Sequence, residues 1–205
     1  EVIDPRMRCE GKEARKLERQ LLSSMVGREL FDGGKYEEAM AEFIAGLTFP
    51  KNYGEEKNYF VNDAPLYSMI AECKKKLGDE AGAAEYYALS DTTKGAPTVH
   101  TYFQCNALRA VGKAERADML AAELISMGES RIANADVNDY YGVGSPAYPP
   151  FGYDIVKAHT LQGNNLKAYG HLASGDKAAA ELCVKNVLAA DLADFHAYLF
   201  GCIVK

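Results

Sequence analysis

The sequence predicts an all-α fold of antiparallel helix hairpins, and three observations lead there. The segments GGKYEEAMAEF (33–43), LGDEAGAAEYY (77–87), VGKAERADMLA (111–121) and SGDKAAAELCV (174–184) share a glycine, an alanine five residues later and a larger residue four beyond that. Gly34/Ala39/Phe43, Gly78/Ala83/Tyr87, Gly112/Ala117/Ala121 and Gly175/Ala180/Val184 fill this frame, with Ala121 the weakest fit. A small residue, Gly27, Ala71, Cys105 or Ala168, stands seven positions before each glycine. Finally, Gly78 and Gly112 are separated by 34 residues, enough for two helices and their turns.

Each element has its own local reason. Asp4 is placed to cap a helix with Pro5 in its first turn. Residues 12–31 then carry Leu17, Leu21, Met25 or Val26, and Leu30 at helical spacing. The frame glycines end the first helix of each pair in the left-handed conformation that glycine adopts without a Cβ clash. The small residues on either side let the two helices approach: Gly27 with Ala39, Ala71 with Ala83, Cys105 with Ala117 and Ala168 with Ala180. Hairpins are expected at about 12–47, 64–90, 98–127 and 159–190. Asp194 caps a last helix at about 194–204 that buries Phe195, Leu199 and Ile203 and covers the open end of the final hairpin.

The stretch VGRELFDGGKYEEAMAEFIAGLTFP (26–50) resembles the tetratricopeptide repeat (TPR) family at Gly27, Leu30, Gly34, Tyr36, Ala39, Phe43, Leu47 and Pro50. That resemblance implies a single TPR-like domain over 1–205, wound as a right-handed superhelix. The spacings of 44 residues from Gly34 to Gly78 and 63 from Gly112 to Gly175 exceed the repeat, so two long loop insertions interrupt it. The insertions hold FPKNYGEEKNYF and NDYYGVGSPAYPPFGYD. Pro50, Lys51, Asn52, Gly54 and Glu55 in the first, and Tyr140, Tyr141, Gly142, Val143 and Pro146 in the second, are similar to the C-terminal TPR region of large bacterial proteins. Those proteins carry an upstream mutarotase-like β-sandwich domain of unknown function. The likeness implies that this chain, which begins at Glu1, is a fragment of a longer protein.

Composition narrows the partners. Lys and Arg number 23 against 29 Asp and Glu, a net charge of -6, so the long-range field disfavours nucleic acid and anionic lipid. No run approaches the roughly 20 apolar residues of a membrane helix. Five cysteines without a CxxC pair fit a reducing compartment, and a cytoplasmic location is the expectation. The four histidines lack metal-ligand spacing, and His171 replaces a packed aromatic in the repeat pattern. No phosphate loop, dinucleotide fingerprint or nucleophile elbow occurs. We therefore expect no metal, no cofactor and no catalytic residue in this chain.

What remains is the inner face, lined in a hairpin array by the first helix of each pair. The register gives Leu21, Ser24, Arg28 and Phe31; Ser68, Glu72 and Lys75; Val99, Tyr102, Asn106 and Arg109; and Asn165, Tyr169 and Leu172. Arg and aromatic side chains are the types that anchor interfaces. The loop residues Tyr140, Tyr141, Tyr148 and Phe151 read either as a cover packed on the helices or as a docking surface for an upstream domain. Two functional classes follow: a noncatalytic module for protein or peptide interaction or intramolecular scaffolding, and an accessory region of a carbohydrate-active enzyme that shapes or oligomerises an upstream site. Self-association of the module is a third reading. The register makes one test available at once. Ala39→Leu should destabilise by about 1–3 kcal/mol through overpacking at the first helix contact, and an unchanged thermal midpoint would mean the alignment of the hairpin is misplaced.

Overall fold

The computed structural model describes residues 23–48, 62–91, 97–137 and 154–204. Within them the chain is all-helical, with no strand. The described part of α1 spans 23–32. It is followed by α2 (Tyr36–Leu47), α3 (Ala64–Lys76), α4 (Glu80–Asp91), α5 (Thr101–Ala110), α6 (Ala114–Ala133), α7 (Ile155–Ser174), α8 (Lys177–Ala190) and α9 (Phe195–Ile203). The start of the first helix with Asp4 and Pro5, most of the first insertion and the aromatic part of the second lie outside the described residues.

The four glycines of the repeat frame, and no other described residues, have positive φ: Gly34 at 77°, Gly78 at 84°, Gly112 at 79° and Gly175 at 88°. Each sits in a turn that joins two helices. At Gly175 the next residue, Asp176, returns its N–H to the carbonyl of His171 at 2.9 Å, while Gly175 N–H reaches Leu172 at 3.1 Å. This closes the free carbonyls of the helix end. Lys35 to Leu30, Asp79 to Lys74 and Lys113 to Leu108 repeat the outer bond at 2.9, 2.9 and 2.8 Å. The residue after the glycine then opens the next helix. Asp176 accepts from Ala179 N–H at 3.0 Å and Asp79 from Gly82 N–H at 2.8 Å, whereas Lys35 and Lys113 make no side-chain cap.

The chain divides into two compact units, residues 1–94 with 110–112 and residues 95–109 with 113–205. In the first, Ala39, Phe43, Leu66, Ile70 and Cys73 form the core, with Leu30, Phe31 and Tyr86 packed at its edge. The Phe43 ring lies where a Cβ on Gly27 would be, 2.5 Å from its carbon, so the larger residue of the frame occupies the space that the small one leaves. Ala71 and Ala83 are buried as the register requires. Ser90 Oγ donates to the Ala64 carbonyl at 3.1 Å across the α3–α4 pair, and Tyr87 donates its hydroxyl to Glu72.

In the second unit, Tyr169, Ala180, Val184, Val187, Ala197 and Phe200 form one cluster, and Cys105, Leu108, Ala117, Ala121 and Ala173 form another. Cys105 Sγ donates to the Ala117 carbonyl at 3.4 Å, the paired positions that the frame assigned to this hairpin. Burial pushes the thiols of Cys73 and Cys105 up to about 11, so both are neutral small core residues. The last helix starts at the expected cap, Asp194, which accepts from Ala197 N–H at 2.8 Å. Its buried face is different from the expected one: Ala197 and Phe200 are buried, while Phe195 is 36% exposed and Leu199 and Ile203 are half-buried. The reason is Tyr169, whose ring meets Phe200 edge-on at 6.0 Å and whose hydroxyl donates to the His196 carbonyl at 2.9 Å, fixing the rotation of α9.

The third hairpin was expected to end near 127 and the fourth to begin near 159, but α6 runs to Ala133 and α7 starts at Ile155. These two 20-residue helices pack with their backbones nearly in contact. A Cβ on Gly128 would lie 2.5 Å from the Gly163 carbonyl oxygen and 3.0 Å from Lys167 N, and one on Gly170 would lie 3.0 Å from the Ala121 carbonyl oxygen. Backbone atoms cannot retreat as a flexible side chain can. Gly128→Ala is therefore expected to destabilise by about 1–2 kcal/mol, overpacking outweighing a helix-propensity gain of about 1 kcal/mol. Gly201→Ala in α9, where nothing lies within 4 Å, is expected to stabilise by about 0.5–1 kcal/mol. Equal effects of the two in urea unfolding would remove the close-contact account.

Candidate functional site

Register positions on the first helices fall into distinct environments. In the first unit Arg28 Nε donates to Asp32 at 3.0 Å, its guanidinium lies 5.8 Å from the Phe31 ring centre, and Phe31 meets Tyr36 edge-on at 5.3 Å. Arg28 and Phe31 are half-exposed and held in place by these contacts. Ser68 is buried, Lys75 is exposed, and Glu72 is engaged by Tyr87. In the second unit Tyr102 stacks edge-on with Phe103 and with Tyr169, Asn106 is half-buried, and Arg109 pairs with Asp118. Asn165 and Tyr169 do not face solvent: they are 3% and 2% exposed because α9 lies over that part of α7. His171 is half-buried instead of fully packed. Tyr140, Tyr141, Tyr148 and Phe151 lie outside the described residues.

A concave surface of the second unit lies beside a mismatch of helix lengths. α5 has 10 residues and its partner α6 has 20, so about ten residues of α6, or about 15 Å of helix at 1.5 Å per residue, run past the start of α5. Beside this overhang is a cleft of about 900 Å³. The residues before α5, the last turns of α6, the first turns of α7 and the start of α9 line it. Most of its wall is apolar, with Val99, Met127, Leu161 and Leu166 prominent. On one side Arg131 Nε donates to Gln162 Oε1 at 2.8 Å. One helical turn further along α7, Asn165 meets Asp194.

That second cluster is the polar end of the cleft. Asn165 Nδ2 lies 3.1 Å from both carboxylate oxygens of Asp194, which fixes the amide orientation, since a flipped amide would set its carbonyl against a carboxylate. The amide oxygen consequently points elsewhere. Asn165 Oδ1 is shielded from solvent and accepts no hydrogen bond from a described residue, and His196 Nδ1 is in the same condition. His196 and His100 also line the cleft, with ring centres 6.3 Å apart and the planes nearly perpendicular. Burial drives the His100 imidazole down to about 4, with His196 adding to the effect. Burial lowers His196 too, against the opposing pull of Asp194. Both rings are neutral at neutral pH.

Sequence reading did not find this cluster. It dismissed the histidines for want of spacing, and His100 and His196 come from opposite ends of the second unit, with Asn165 between them in sequence. The one legible signal was Asp194 as a helix cap. Among the described residues no group of three His, Cys, Asp or Glu side chains is placed to hold a metal ion, and no helix is long and apolar enough to cross a membrane. Comparison with known protein families, curated proteins and solved structures gives no match for the chain.

The lowered imidazoles carry a pH consequence. A His whose pKa is lower in the folded than in the unfolded chain contributes stability that is fully present above about pH 6.5 and is lost as pH falls towards about 4, because the unfolded chain takes up the proton first. His100 keeps some exposure, so the loss expected from it is about 2 kcal/mol, less than its full shift implies. Denaturant unfolding at pH 7.5 and pH 4.5 should show a smaller acid loss in His100→Gln than in the wild type. The same loss in both would remove His100 as its source.

Proposed function

We propose that the chain is a noncatalytic, TPR-like interaction module, its hairpins stacked as a right-handed superhelix, and that it binds an extended peptide segment of a partner protein. The observation that carries this reading is the cleft beside the α6 overhang. Its volume of about 900 Å³ and its largely apolar wall are those of a ligand recess with a few placed polar groups. Residues from α6 and α7 supply most of its wall, a lining that we read as suited to an extended chain. Recurrence of one turn geometry at Gly34, Gly78, Gly112 and Gly175 supports the repeat architecture. We read the neutral, half-buried histidines and the capping role of Asp194 as those of a wall built for recognition.

Selection from a random peptide library on the immobilised chain tests the proposal, with Ala158→Arg as the comparison. Ala158 is a half-buried residue of the cleft wall on α7, and arginine there fills the cleft with a good helix former. Selected peptides are expected to bind this variant at least about tenfold more weakly than the wild type. A selection that yields no saturable binder, or binders indifferent to Ala158→Arg, would overturn the assignment.

A further inference from the structure

The ties that hold α9 on α7 converge on a pair of histidines. Nine residues are too few to stay helical alone, so α9 persists only while it is packed. Its buried face carries Ala197 and Phe200, and its opposite face carries the exposed Tyr198. Two side-chain ties join α7 to the start of α9: Asn165 Nδ2 donates to the Asp194 carboxylate, and the Tyr169 hydroxyl donates to the His196 carbonyl. Next to both, the His196 ring meets the ring of His100, from the segment before α5, at 6.3 Å between centres. His196 Nδ1 is shielded from solvent and has no hydrogen-bond partner among the described residues. A charged imidazole carries a proton on both nitrogens, so charging His196 in place leaves a cationic donor without an acceptor at that atom. Charging both rings also sets like charges against each other in a partly desolvated wall.

We propose that α9 is an acid-released cap: when His100 and His196 take up protons, its first turn separates from α7 and from the segment before α5, uncovering the Tyr169 ring while α7 and α8 stay folded. The groups that face the two rings set the sign. Asp194, on α9 itself, favours a charged His196, yet its carboxylate is bonded to Asn165 and to Ala197 N–H, and burial outweighs its pull. From α7 come the Asn165 amide and the Tyr169 phenol, which burial keeps protonated, and neither supplies charge. From α6, Arg131 lines the same cleft and adds positive charge. From α8, Lys177 reaches the Val204 carbonyl at 3.4 Å, at the opposite end of α9. His196 in turn opposes the protonation of His100. Freed from the wall, a histidine takes its proton at the ordinary value of about 6.5, whereas packed His100 does so only near about 4. Release is therefore favoured as pH falls between these values.

The test is amide hydrogen exchange of the whole chain, followed residue by residue by nuclear magnetic resonance at pH 7.5 and pH 4.5, corrected for the pH dependence of the chemical step and repeated in urea well below the unfolding transition. The amides of Leu199 and Phe200 are expected to exchange through an opening that low urea does not promote, and to be less protected than those of Val184 and Val187 at both pH values. At pH 4.5 their protection should fall at least about tenfold. In the double variant His100→Gln, His196→Gln, whose glutamines stay neutral, the fall should be under about twofold, and His100→Gln alone should show a smaller fall than the wild type. Protection in α9 that is the same at both pH values, or that matches α8 and declines with urea as global unfolding does, would overturn the proposal on the wild-type chain alone. A fall that persists undiminished in the variants would overturn it as well, since the histidines would then not be its source.

Discussion

How near two helices can come is the constraint on which the rest of the structure depends. Wherever a helix pair meets, one partner contributes a residue with almost no side chain. Gly27 yields to the Phe43 ring, Ala71 and Ala83 are buried together, Cys105 bonds to the carbonyl of Ala117, and Gly128 touches the carbonyl of Gly163. With axes this close, the larger frame residues Phe43, Tyr87 and Val184 fill the remaining space one turn later. Cores assembled this way contain few large side chains, so their cohesion comes from fit over many small contacts more than from a few aromatic anchors. Phe43, Tyr87, Tyr169 and Phe200 are the large rings among them, and Tyr169 has a further role. It joins α7 to α9 by ring contact and by a hydrogen bond, and burial keeps its phenol protonated.

Asp194 serves two ends with one side chain. Its carboxylate closes the first turn of α9 and also orients the Asn165 amide, so the helix that covers the last hairpin and the polar wall of the cleft are set by a common group. The cleft is thus rigidly bordered on the side where its hydrogen-bonding groups stand. On the other side, the Arg131 and Gln162 pair links α6 to α7 near the rim and holds the overhang against its neighbour. If the recess takes a ligand as proposed, two such ties would limit the rearrangement and the entropy lost on binding.

Much of the fold was legible because its determinants are local. A glycine that must turn left-handed, an alanine five residues on and an aspartate before a helix each act within a few residues, and Gly175, Ala180 and Asp194 could be read from the chain alone. The extra turns of α6 and α7 were not legible, because Gly128 is a poor helix former that α6 passes through only where it packs against α7. The rotation of α9 was misread for a related reason. Phe195 and Phe200 are equally apolar, and it is Phe200 whose ring meets Tyr169. The candidate site was the least legible part. Asn165 looks like a surface residue in the repeat register, and only the packing of α9 over α7 buries it and brings His100 and His196 to the same wall.

The four turns differ in one respect that separates hairpins of otherwise common design. Where the glycine is followed by aspartate, at Asp79 and Asp176, a side chain satisfies an amide in the first turn of the helix it opens, and its charge complements the helix dipole. Where the glycine is followed by lysine, at Lys35 and Lys113, that bond is missing and the charge has the unfavourable sign, although Glu37, Glu38 and Glu115 within the first turn offset it. The starts of α2 and α6 therefore fray more readily than those of α4 and α8, so the amide protons there exchange with solvent sooner. Hairpins that share a shape are in this way unequal in local lifetime.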